Sequence, residues 1–108
     1  MSCLHLLNKS PSAGPLDELR NLLAPGDGLL LLEDGVYFLH KPEELARLPQ
    51  GLSVHFLVED MLARGLNGPL PANAATVDYD GFVALCASHD RCLLGRAIRR
   101  AAFRQVQS

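Results

Sequence analysis

Leu29-Leu30-Leu31-Leu32-Glu33-Asp34-Gly35-Val36-Tyr37 decides the fold. Side chains alternate along a strand, so four successive leucines make both of its faces apolar. A strand greasy on both faces belongs inside a parallel sheet covered by helices on either side. The apolar run ends abruptly in two carboxylates and a glycine. In parallel sheets the loops at the strands' carboxyl ends carry binding and chemistry, which makes Glu33 and Asp34 candidates for an interface rim. Acids in this position also suit the first turn of a following helix.

Outward from this strand, other segments alternate in the same manner. Cys3-Leu4-His5-Leu6-Leu7 reads as a first strand, with Asn8-Lys9-Ser10-Pro11 as its exit. Pro15 opens a helix over residues 16–24, with Leu16, Leu19, Leu22 and Leu23 as its apolar stripe. Pro25-Gly26-Asp27-Gly28 stops that helix. A short helix or turn is expected around residues 35–39, and another helix from Pro42 to Arg47. Residues 52–58 form a third strand, Asp60 caps a brief helix over 61–64, and Ala74-Ala75-Thr76-Val77 is a fourth strand. A helix runs from about 81 to 88. After Asp90 a second amphipathic helix is expected, with Leu94, Ala97, Ile98 and Ala101 on one side and Arg96, Arg99 and Arg100 on the other. This order predicts an α/β fold: a three-layer α/β/α sandwich with a mainly parallel central sheet of four to five strands. Residues 1–93 form a single domain and 94–108 an arginine-rich helical extension.

The bulk properties fit this reading. The 108 residues are 48% hydrophobic and 20% charged, enough for one core. No apolar run reaches the roughly 18 residues needed to cross a bilayer, and Pro11, Gly14 and Pro15 break up any signal-peptide pattern. The cytoplasm is the expected location. The three cysteines, Cys3, Cys86 and Cys92, include no CxxC pair, so reduced thiols are expected. Residues 1–90 carry 5 basic and 12 acidic side chains, a balance of −7, whereas 91–108 carry five arginines and no acid. That tail reads as a solvated helix face, or as a docking surface for an acidic protein or RNA through Arg96, Arg99 and Arg100.

Several chemistries lack their motifs. There is no GxGxxG and no GxxxxGK[ST], and Gly26 and Gly28 precede a strand rather than follow one. A serine hydrolase would need a GxSxG elbow, also absent. Cys86-x2-His89-x2-Cys92 has soft ligand types, yet its third member drifts off the helix face and no fourth ligand lies nearby. No metal or cofactor is therefore expected. Among the thiols, Cys92 beside Arg91 is best placed for activation, with an inert structural thiol as the competing reading for all three. His5 and His55 fall on strands expected to be adjacent and half-buried.

Four blocks taken in order resemble the TusB/DsrH family, the small subunits among the DsrE/DsrF/DsrH-like sulfur-relay proteins. They are Leu4-His5-Leu6-Leu7-Asn8-Lys9-Ser10-Pro11, residues 28–37, Glu59-Asp60-x-x-Ala63-Arg64-Gly65-Leu66 and Val77-Asp78-Tyr79-x-x-Phe82-Val83. The resemblance spans residues 3 to 93 and implies the same layered sandwich. It further implies a cytoplasmic sulfur relay with TusC- and TusD-like subunits, assembled as a heterohexamer of paired heterotrimers. The sulfur goes to 2-thiouridine at the tRNA wobble position, so the link to tRNA is indirect. In that branch the sulfur-carrying thiol belongs to the TusD-like partner. The Dsr branch, in sulfur oxidation, has a cysteine on the first helix of its DsrH-like subunit. Here that helix reads Leu16-Asp17-Glu18-Leu19-Arg20-Asn21-Leu22-Leu23, without one, which favours the Tus branch and a non-catalytic subunit. The alternative is a sulfurtransferase carrying persulfide on its own cysteine, Cys92. The tail beyond Leu94 departs from the family pattern, and no family role carries over to it.

Overall fold

A computed structural model describes residues 2–13 and 15–94. Among the described residues five parallel strands form one sheet: β1 (Cys3–Leu7), β2 (Gly28–Leu31), β3 (Ser53–Leu57), β4 (Ala74–Val77) and β5 (Arg91–Leu94), in the order β4-β3-β2-β1-β5. The leucine run is the central strand. All four residues of β2 are buried, with β1 on one side and β3 on the other.

From β1 to β4 the chain steps one way across the sheet, and the last connection returns to pair β5 with β1. Right-handed crossovers then put the early helices on one face and the last on the other. The buried residues divide accordingly. On one face α1 (Pro15–Arg20), a 3₁₀ helix over Glu33–His40, α2 (Pro42–Ala46) and α3 (Val58–Ala63) pack on Leu7, Leu29, Leu31, Val54 and Phe56. On the other, Phe82 and Cys86 of α4 (Tyr79–Ser88) pack on Leu4, Leu6, Leu30, Leu57 and Cys92.

Local signals set the ends of these elements. Asp78 caps α4 by accepting the Gly81 N–H at 2.8 Å, and Pro42 occupies the first turn of α2. Gly35 is required by close approach, because a Cβ there would collide with the carbonyl oxygen of Leu7. The three-layer sandwich expected from sequence is thus the architecture found.

Three local expectations are corrected. The segment after Asp90 is a strand, not a helix, because Arg91–Leu94 pairs with β1 and buries Cys92 in the sheet. The remainder of the expected tail helix lies outside the described residues. The helix after β3 begins at Val58 with no side-chain cap, and Asp60, inside it, accepts instead from the Glu33 N–H at 2.6 Å. His5 and His55 are not on adjacent strands: β2 separates them, and the register puts them on opposite faces. His5 is fully buried rather than half-buried.

Candidate functional site

At the carboxyl edge, the turn out of β2 places Glu33 and Asp34 in solvent. Glu33 adopts φ +50°, in the left-handed region that an L side chain enters at a cost. Its N–H bond to Asp60 holds it there, and Asn8, at the end of β1, donates to Glu33 Oε1 at 3.2 Å. Arg64, just after α3, donates through Nε to Asp34 Oδ1 at 3.1 Å and through Nη1 to the Asp60 carbonyl at 3.4 Å. Glu59 Oε2 accepts the Tyr79 N–H at 3.2 Å, tying α3 to the start of α4. The exits of β2, β3 and β4 thus form one acidic rim with Arg64 set into it. Among the described residues the rim offers carboxylates and no thiol.

Beside this rim several apolar side chains face solvent. Tyr79 and Val83 lie one turn apart on α4, and Leu62 of α3 is 69% exposed. Exposed apolar side chains bordered by charge are a common feature of protein-binding surfaces.

All three cysteines are reduced thiols. Cys92 is 3% exposed and its thiol reaches the Cys86 carbonyl oxygen at 3.9 Å, deep in the α4 face. Burial, together with the adjacent Cys92 thiol, pushes Cys86 up to about 12. Cys3 is half-buried, and burial followed by the negative charge of Asp27 raises its thiol above the ordinary value. A nucleophilic cysteine needs the opposite shift.

The amino edge holds a polar group that sequence reasoning did not assemble. Asp27, 5% exposed, accepts the Cys3 N–H at 3.0 Å and the Ala24 N–H at 3.1 Å, and lies 3.3 Å from His5 Nε2. A histidine in an apolar strand and an aspartate before the next are each ordinary. The register that sets Leu4 against Gly28 brings them together, because it puts Asp27 beside Cys3.

On the other face, His89 donates through Nδ1–H to the Leu85 carbonyl oxygen at 2.8 Å, while His55 is held below its usual value by burial and then by His89. Cys86, His89 and Cys92 are not a metal-ligand group; among the described residues that description fits only Cys3, His5 and Asp27. Arg96, Arg99 and Arg100 lie outside the described residues. Among the described residues no helix is long and apolar enough to cross a membrane.

Comparison with known proteins identifies the family and the fold. The family described as DsrH like protein matches residues 9–92. Protein TusB of Shigella sonnei (strain Ss046) is 39% identical over 90 residues, covering 80% of this chain and 93% of that protein. Protein TusB of Escherichia coli (strain K12 / DH10B) matches with the same identity and coverage. The solution NMR structure of protein Tm0979 from Thermotoga maritima superposes with a TM-score of 0.59 at 22% identity, covering 80% of this chain and 92% of that one. That likeness concerns the fold.

Proposed function

We propose, from the premise that this chain belongs to the DsrH-like family of sulfur-relay proteins, that it is a structural, non-catalytic subunit of a TusBCD-type complex. The complex serves 2-thiolation of tRNA wobble uridine in the cytoplasm, as a heterohexamer with TusC- and TusD-like subunits. The observation that carries the non-catalytic role is the state of the thiols: two are buried, and the half-buried one is shifted away from the thiolate. The persulfide is then carried by a TusD-like partner. This chain contributes a fixed flank that holds the neighbour's thiol in position, and positioning of that kind accelerates transfer between thiols. Exposed Tyr79 and Val83 on α4, with Glu33 and Asp34 on the rim, are the surface we assign to assembly. Arg96, Arg99 and Arg100 are further contact candidates.

Co-expression with TusC- and TusD-like chains tests the reading. A stable complex by size-exclusion chromatography supports it, and a chain that elutes alone overturns it. Incubating the isolated chain with a persulfide donor separates the alternative. A sulfur adduct that is lost on Cys92→Ser, seen by mass spectrometry, would make this chain a sulfurtransferase in its own right.

A further inference from the structure

We infer that Cys3, His5 and Asp27 form a binding site for one divalent metal ion of the zinc class at the amino edge of the sheet. The inference is independent of the proposed function. One donor atom from each residue, the Cys3 sulfur, a ring nitrogen of His5 and a carboxylate oxygen of Asp27, lies within 4.8 Å of the other two. Tetrahedral coordination with bonds of about 2.0–2.3 Å sets neighbouring donors roughly 3.3–3.7 Å apart. Small side-chain rotations therefore close the set, and the His5–Asp27 separation of 3.3 Å already has the required value.

Backbone hydrogen bonds orient one of the three donors in advance, and burial confines a second. Asp27 is anchored by the N–H groups of Cys3 and Ala24, so its carboxylate is oriented without the ion. His5 is 2% exposed, and its Nδ1 is buried without a hydrogen-bond partner. No partner at Nδ1 sets the ring's tautomer, and in the Nδ1–H form Nε2, the nitrogen that faces Asp27, presents its lone pair to the site. Cys3 is half-buried, which gives the ion a path in.

Thiolate, imidazole and a single carboxylate select zinc-like ions over magnesium or calcium, which prefer oxygen ligands. Three protein donors leave the fourth position to water. Binding replaces the Cys3 S–H bond by a sulfur–metal bond and releases that proton to solvent, with no change in oxidation state. With the thiolate and the Asp27 carboxylate as its two anionic ligands, a divalent ion makes the site neutral.

Cobalt(II) titration of the untagged full chain is the test, since a thiolate ligand gives cobalt an intense charge-transfer absorption. One equivalent should bind with that band, and zinc should displace it. Cys3→Ser should remove the band and weaken zinc binding at least about tenfold, with the far-ultraviolet circular dichroism unchanged. Asp27→Asn should weaken binding while retaining the band. Zinc should also protect Cys3 from alkylation, read by mass spectrometry. Absence of saturable uptake, a band that survives Cys3→Ser, or alkylation of Cys3 that zinc does not slow in the unsubstituted chain, would overturn the assignment.

Discussion

The two ends of the sheet treat their carboxylates in opposite ways. At the amino end a single acid, Asp27, is buried and bound by His5 and two backbone N–H groups. At the carboxyl end Glu33 and Asp34 are exposed, beyond the half-buried Glu59 and Asp60 and the α4 cap Asp78, and Arg64 pairs with Asp34. A carboxylate removed from water has to be satisfied internally, so it becomes part of the architecture. Glu33 and Asp34, left in water, carry little of the fold's stability and are available to whatever docks there. One end closes the domain and the other presents it.

Breaking the amino end should cost most. Asp27→Ala removes the acceptor of two N–H groups and the partner of a buried imidazole, for a loss of about 4 kcal/mol, since each buried group left unsatisfied costs roughly 1–3 kcal/mol. The shift in urea midpoint measures it. A loss below about 1 kcal/mol would mean that the acid is not architectural.

The carboxyl end should yield to backbone change and not to loss of charge. Gly35→Ala forces a methyl group onto the Leu7 carbonyl oxygen and should destabilise by about 2–3 kcal/mol in the same assay. Asp34→Ala, which removes only the exposed partner of Arg64, should cost under about 1 kcal/mol while weakening association with partner chains. Equal stability losses from Asp27→Ala and Asp34→Ala would erase the contrast.

Titration extends the comparison to the α4 face. The Cys86 thiol loses its proton near its usual 9.0 in the unfolded chain but only at about 12 in the fold. Over that window the unfolded state binds fewer protons, so stability falls as pH rises. Cys86→Ala should flatten this alkaline decline in denaturant midpoints. His55 acts at the other limb. Its value is lowered in the fold, so its contribution is complete above 6.5 and is lost as pH falls below it.

The sequence made the centre of the molecule legible and its edges less so. Four leucines admit one placement, and β2 lies at mid-sheet with both faces covered. The Arg91–Leu94 strand was obscured because Leu94 also fits the helical spacing of Ala97 and Ile98, and only pairing with β1 decides between the two. Glu33 and Asp34 lie at the carboxyl edge, where the pattern of a buried strand ending in acids puts them. The His5–Asp27 pair was not legible, since 22 residues separate its members and only strand register joins them. Short-range patterns reveal burial. Polar pairing across strands depends on topology.

The most direct test of a subunit that positions another protein's thiol is to remove its own. The chain carrying Cys3→Ser, Cys86→Ala and Cys92→Ala should be assembled with TusC- and TusD-like partners and assayed for sulfur transfer to tRNA. The account predicts a complex of normal composition that transfers sulfur at an unaltered rate. A complex that assembles normally but no longer transfers sulfur, with activity restored by returning one cysteine, would contradict it.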